Sequence, residues 1–300
     1  MSSTNQAPVE ASKSTDSATK SRAKLWIIIL AIVFVILYVF GALAFKNADG
    51  SYTVNGEEPT VTDGLKIDAI PISIDPATNQ VTVRLLPEAV GTVADPQGNP
   101  TEPITLTVNA YSGNSVIEIA KGKPISAQEV KLFASGRWSS YPVDKYEGTL
   151  QAIATTNNGE TDVPIALVGN AGLEGWALSV DNPPHAADAP AEATFTLSRP
   201  FVTQTFVFMV LILFILIALF AITVAYVVGA AKRRIEPALL GWGAALLFAL
   251  PALRNAMPGA PPIGAWIDIL VFLWVIVIAV ISYLVVVSTW VRKSAPPEKK

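Results

Sequence analysis

The 300-residue chain has no cysteine and one histidine, and only 15% of its residues are charged. The missing thiols exclude disulfides, cysteine nucleophiles, thiolate metal sites and lipid attachment at cysteine, so any folded part must be held by its own apolar core. The histidine, His185, lies in the loop Asn182-Pro183-Pro184-His185-Ala186-Ala187. A lone loop histidine reads as a solvated side chain; a metal site would need carboxylates gathered around it by the fold. No GxSxG, HExxH, P-loop or dinucleotide glycine pattern occurs. The expectation is therefore a protein that is not an enzyme, with no catalytic residue, no cofactor and no metal.

What the chain has in excess is apolar: 51% of residues are hydrophobic and the mean hydropathy is +0.46. That surplus suits a bilayer, where about 18 or more consecutive apolar residues cross the hydrocarbon as a helix. Leu25 to Phe45, Phe206 to Val228 and Ala265 to Trp290 are long enough, and Pro237 to Leu253, although interrupted by Gly241, Gly243 and Pro251, is counted as a fourth span.

Charge supports this count. Lys13, Lys20, Arg22 and Lys24 precede the first span, Lys232, Arg233 and Arg234 follow the second, and Arg292, Lys293, Lys299 and Lys300 follow the last. Basic flanks stay cytoplasmic, so four spans put all three clusters and both termini inside. Trp26, Trp266 and Trp290 fall near the expected interfaces, which favour amphipathic rings. Between Lys46 and Arg199 acids outnumber bases about twofold, and this portion is expected outside the plasma membrane. An acidic exterior repels polyanions, so nucleic acid is not an expected partner. Ala42-Leu43-Ala44 would also suit signal-peptide cleavage after Ala44, but the apolar core is longer than the 7 to 15 residues typical of a signal, so an uncleaved anchor is expected.

The expected organisation follows. Residues 1–24 form a disordered cytoplasmic tail without aromatics, 25–45 the first helix, 46–203 an extracytoplasmic domain and 204–229 the second helix. A basic loop, 230–236, leads to the third helix, 237–253. An outer loop, 254–264, a fourth helix, 265–290, and a tail, 291–300, complete the chain. Short apolar alternations broken by Pro, Gly, Asn and Asp predict an antiparallel β-sandwich inserted between helices 1 and 2. Its clearest hairpin runs from Leu65–Ile74 through Asp75–Asn79 to Val81–Leu85, with Pro71 suited to an edge position because proline cannot donate to a ladder. Further strands are expected at 104–111, 129–133, 148–155, 163–168, 176–180 and 193–197. The fold class is an α+β membrane protein.

Three details stand out. Gly241, Ala245 and Ala249 form a small-residue stripe on one helix face, which predicts that the third helix is the packed, central one. The segment Pro251 to Gly264 is dense in proline and glycine, predicting a stiff loop that touches the exterior domain or a partner. Asp268, about one turn into the last helix, is the one ionisable residue inside a span; Arg254 across the loop is its expected partner. Tyr141-Pro142-Val143-Asp144-Lys145-Tyr146 reads as a sandwich corner leading into a strand.

At these residues the chain resembles an uncharacterised actinobacterial integral membrane family, a domain of unknown function (DUF4436). The resemblance rests on Tyr141, Pro142, Asp144 and Tyr146; on Phe248 to Asn255; and on Pro258, Gly259, Pro261, Pro262, Gly264 and Asp268. It covers about residues 60 to 290 and implies a plasma-membrane protein without implying an activity. Tyr141-Pro142-x-Asp144 also resembles the short loop through which the sandwich of pentameric ligand-gated channels meets the membrane. Here, however, a span precedes the sandwich, and no span shows a polar pore lining.

The expected function is an accessory or scaffold subunit of the cell envelope. It would bind a protein partner, or a second copy, through the exterior domain and outer loop. The alternative is a channel or transporter component, with Arg254 and Asp268 guarding an outer mouth. Beyond the bilayer, no other partner is implied.

Overall fold

The computed structural model describes residues 28, 31–36, 38, 39, 41–43, 52–156, 159, 161–170, 172–183, 189–230, 236–259 and 262–293. The two tails, the basic loop at Lys232–Arg234, the cleavage position Ala44, His185 and Pro261 lie outside them. The chain divides into two compact units, 1–47 and 48–300. Within the first, α1 spans Ala31–Leu43; the flanks that would complete the expected first span lie outside the described residues.

Among the described residues, the second unit opens with twelve strands in two sheets. They are β1 (Tyr52–Asn55), β2 (Gly64–Asp75), β3 (Gln80–Val90), β4 (Ile104–Val108), β5 (Val116–Ile119), β6 (Gln128–Phe133), β7 (Ser135–Gly136), β8 (Lys145–Thr156), β9 (Thr161–Val163), β10 (Ile165–Gly169), β11 (Ala177–Asp181) and β12 (Ala191–Ser198). One sheet runs β1-β11-β12-β8-β4-β5, with β7 and β9 also paired to β8; the other runs β10-β2-β3-β6. Alternation does the folding. In β2 the side chains of Leu65, Ile67 and Ala69 are buried, and in β3 those of Val81, Val83 and Leu85. They meet Leu106, Leu150, Val180, Phe195 and Leu197 from the other sheet in one core, as period-two burial requires.

The expected hairpin is present, with Ile74 opposite Val81 and Asn79 in the left-handed region at φ 54°. Two features correct the expected pattern. The domain is not wholly antiparallel, because β1 pairs parallel with β11 and β10 parallel with β2. The single strand expected at 163–168 is two, β9 and β10, in different sheets; Pro164, which cannot donate to a ladder, lies between them. Pro71 belongs to a strand with neighbours on both sides, yet β10 pairs only with Leu65–Ala69. At Pro71 the strand is therefore locally an edge, and the pairing with β3 shifts register just beyond it.

Among the described residues three helices follow: α2 (Phe201–Ala230), α3 (Pro237–Asn255) and α4 (Leu273–Lys293), the last entered through a π-helical turn at Asp268–Phe272. All three are long and apolar enough to cross a membrane, α4 taken with its opening turn. In α2 the buried positions Val207, Val210, Leu211, Phe214, Ala218, Ala221 and Ala225 recur every three to four residues, which makes one packed stripe of an otherwise exposed apolar cylinder. Phe214 meets Phe272 with ring centres 5.6 Å apart.

The expected role of α3 is corrected here. Gly241 has nothing within 4 Å of where a Cβ would stand, and Ala245 and Ala249 are exposed. The packed face of α3 carries Gly243, Leu250 and Arg254 instead. A methyl at Gly243 would stand 2.6 Å from the Tyr283 ring, so this glycine, two positions off the stripe, permits the close approach. More of α2 and α4 is buried than of α3, and α3 is not the central helix. The small residues that are buried lie on the other two helices, Ala218, Ala221 and Ala225 of α2 and Ala279 and Ser282 of α4, which is where close approach of backbones is permitted.

Candidate functional site

The loop between β7 and β8 does more than turn a corner. Tyr141, joined to Pro142 by a cis peptide bond, is fully buried. Its ring packs in the apolar cluster of the helix group with Val207 and Leu211 of α2, Met257, and Ala265 and Ile267 before α4. Its hydroxyl donates to the Pro258 carbonyl oxygen at 2.8 Å. Burial pushes the hydroxyl up to about 12, so it is a neutral donor at any physiological pH. The motif is a turn leading into β8, as read from the sequence, and it also inserts a ring into the helix group, which the strand alternation of β8 could not report.

Arg199 and Asp144 form the second tie. Asp144 is 1% exposed and Arg199 5%. Arg199 Nε donates to both Asp144 oxygens at 3.3 Å. The guanidinium lies over the Trp176 ring, 3.9 Å from its centre, and 5.3 Å from the centre of Tyr141. Flat cation faces are attracted by aromatic quadrupoles, so the charge is held on its plane by rings and on its edge by a carboxylate. Tyr146, the first large inward residue of β8, packs edge-on to Trp176. Its hydroxyl is raised by burial and then by the Asp144 charge. The terminal nitrogens of Arg199 lie against the backbone of Gly259, where any Cβ would collide with Nη1, and Gly259 has φ 57°. Both facts require glycine there.

The third tie closes the α3–α4 loop. Arg254 donates from Nε to Asp268 Oδ1 at 2.9 Å and from Nη2 to Oδ2 at 2.8 Å, while the Gly264 N–H donates to Oδ2 at 2.9 Å. Both side chains are buried, at 5% and 4% exposure. This bidentate fork is the strong form of such a pair, and the pairing expected across the loop is present. Gly264 also lies under Trp138, whose Cη2 is 3.4 Å from the position a methyl there would take. Asn255 ends α3 on the surface, and Pro262 is exposed. The loop thus receives Tyr141, Arg199 and Trp138 from the β domain, and it touches that domain as its stiffness implied. Arg199, Trp176 and Trp138 were not among the residues singled out. An arginine placed immediately before a span, at the end of an acidic stretch, was the available signal.

Family comparison divides the chain at the same boundary. Residues 55–197 match the domain of unknown function DUF4436. Residues 199–293 match a second one, DUF8686. The resemblance to DUF4436 therefore holds for the β domain. The motifs from Phe248 to Asp268, attributed above to the same family, fall in the DUF8686 segment, and Arg199 is its first residue. Tyr141, Pro142, Asp144 and Tyr146 belong to the DUF4436 side. The junction joins the two matched regions residue by residue. No curated protein matches the chain.

The helix group contains a crevice between α2, α3 and α4 of only about 20 Å³, lined by Trp242, Gly243, Ser282 and Tyr283 among others. That is room for about one water.

Proposed function

We propose that the chain is a non-enzymatic membrane protein of the cell envelope, crossing the plasma membrane four times with both termini in the cytoplasm and residues 46–203 outside. Its role is that of an accessory or scaffold subunit, presenting the β domain and α3–α4 loop to a protein partner or to a second copy.

The observation that carries this reading is the buried junction itself. Tyr141 to Pro258 and Arg199 to Asp144 tie one end of the helix group to the β domain, and Arg254 to Asp268 fixes the α3–α4 loop that receives them, all through side chains that are almost fully enclosed. Breaking a buried pair leaves an unmatched charge at a cost of about 3–5 kcal/mol, so the domain is presented in one orientation. A surface held in a fixed pose loses less freedom on meeting a partner. Tyr111 and Phe133, 59% and 49% exposed with ring centres 5.5 Å apart, give the β domain an aromatic anchor of the kind enriched at interfaces. A channel role is supported less well, because Arg254 and Asp268 satisfy each other and the Gly264 N–H, leaving little for a passing ion.

Two measurements test the reading. The cysteine-free chain allows clean single-cysteine labelling: an impermeant maleimide should modify Ser112→Cys in intact cells and spare Ser14→Cys. Photo-crosslinkable residues at Tyr111, Phe133 and Ile263 should then yield a discrete adduct, either one partner or a dimer. Labelling of the tail but not the domain would overturn the topology, and absence of any adduct from all three positions would overturn the scaffold role.

A further inference from the structure

Arg199 is only half used. Both of its hydrogen bonds to Asp144 leave from Nε, and among the described residues neither Nη1 nor Nη2 makes a hydrogen bond. Those two nitrogens carry four N–H donors on a side chain that is 5% exposed. Donors on the wall of a crevice can exchange water for a ligand's oxygens. The same guanidinium lines a crevice of about 520 Å³ formed by Ile74, Asp75, Pro76 and Ala77 of the β2–β3 turn, Trp176, and Gly259 and Pro262 of the α3–α4 loop. The crevice is open to solvent on one side, with mostly apolar walls and few polar groups, so it suits the end of a larger molecule better than an enclosed ligand.

Two charges of opposite sign border it. The deep one is Arg199, whose free edge suits the paired oxygens of a phosphate. The shallow one is Asp75, exposed in the turn. Its carboxylate accepts from the Thr78 hydroxyl at 2.7 Å and from the Ala77 N–H at 3.0 Å. Those bonds hold it well below the usual carboxylate range, the Thr78 hydroxyl contributing most, so it is ionised at neutral pH. With Asp144 already matching Arg199, a plain anion would meet net repulsion at the mouth. A ligand carrying its own ammonium group would not.

We infer that the crevice between the β2–β3 turn and the α3–α4 loop binds a phosphate linked to an ammonium group, the phosphate on Nη1 and Nη2 of Arg199 and the ammonium facing Asp75. Ile74, Pro76 and Pro262 would take the connecting carbons. The chemistry fits a phosphoethanolamine group, supplied either by a membrane lipid or by a soluble phosphodiester. The lipid source rests on the membrane reading above; the soluble source does not. Occupancy of this site would stiffen the junction from the side that the protein's own carboxylates leave open.

Native mass spectrometry of the full chain in detergent distinguishes the possibilities. The wild type is exposed in turn to dioleoylphosphatidylethanolamine, to dioleoylphosphatidylglycerol, which lacks the ammonium, and to soluble glycerophosphoethanolamine. One ethanolamine lipid per chain should resist dissociation, with the glycerol lipid retained about tenfold less. Arg199→Lys, which keeps the charge beside Asp144 but not the paired donors, and Ala77→Trp, which obstructs the mouth from an exposed position, should each reduce retention about tenfold. Asp75→Asn should abolish the preference between the two lipids. Thermal melting of each variant separates lost binding from lost folding. Binding of glycerophosphoethanolamine alone, with the same dependence on Arg199 and Ala77, would support the site and assign it a soluble ligand. Equal retention in wild type and in a folded Ala77→Trp variant, or no binding of either ethanolamine compound, would overturn the inference.

Discussion

Tyr141 and Pro258 are separated by 117 positions, and the hydroxyl of one donates to the carbonyl oxygen of the other at 2.8 Å. The bond links a loop of the β domain to the loop that joins two apolar helices, with the tyrosine ring enclosed on all sides. A fully buried aromatic ring contributes chiefly through burial, with the hydroxyl bond adding the smaller part.

Removing the two parts separately should separate their sizes. Tyr141→Phe leaves the Pro258 oxygen without this donor and should cost about 1–3 kcal/mol. Tyr141→Ala also opens a cavity and should cost about 3–5 kcal/mol. Denaturant unfolding of the detergent-solubilised protein measures both, and an alanine variant as stable as wild type would contradict the junction described here.

For the Arg254–Asp268 pair the order of costs is the informative quantity. Asp268→Asn strands a buried guanidinium and should destabilise by about 3–5 kcal/mol, and Arg254→Met should be similarly harmful. The double variant Arg254→Met with Asp268→Leu should recover much of the loss, because two apolar side chains need no partner. Recovery would be incomplete, since the Gly264 N–H loses its acceptor. A double variant as unstable as the sum of the singles would show that the pair does not act as a unit.

The two glycines of α3 should respond in opposite directions. At Gly241, where a methyl meets nothing, Gly241→Ala should raise stability by up to about 1 kcal/mol through helix propensity. At Gly243 the methyl meets Tyr283 at 2.6 Å, so Gly243→Ala should lower it by about 1–3 kcal/mol through overpacking. Thermal melting resolves the sign; a matched pair of responses would contradict the assigned face of α3.

Alkaline pH should loosen the junction. Tyr141 has its pKa raised from 10.0 to about 12 by burial, and Tyr146 is shifted in the same direction. A group harder to ionise when folded contributes fully below its unfolded value and loses that contribution as pH climbs through its folded one. Stability should therefore fall between about pH 10 and 12. Tyr141→Phe should show a shallower fall, with Tyr146 accounting for part of what remains. Chemical denaturation at several pH values checks this, and identical profiles for wild type and variant would exclude Tyr141 as a source.

Much of this architecture is legible in one dimension because its signals are local. Alternation in Leu65–Leu85 marks a hairpin whatever lies around it, since period-two burial is a property of the strand. Unbroken apolar runs mark helices in the same way. The Gly241, Ala245 and Ala249 stripe misled because small residues allow close packing without requiring it, and the neighbour that could use the space lies elsewhere. Arg199 does not stand out in the sequence because nothing in its flanking residues reports that Asp144 and Trp176 come to meet it.

The sequence by itself determined that a β-rich acidic region is followed by helices apolar enough for a bilayer, because patterning and composition act through each residue's own transfer free energy. Which face of α3 is packed, and that Tyr141, Arg199 and Gly259 share one enclosed junction, was decided only by tertiary structure. Such contacts join distant parts of the chain. Their energies depend on which side chain fills the remaining space, and that is a property of the folded whole.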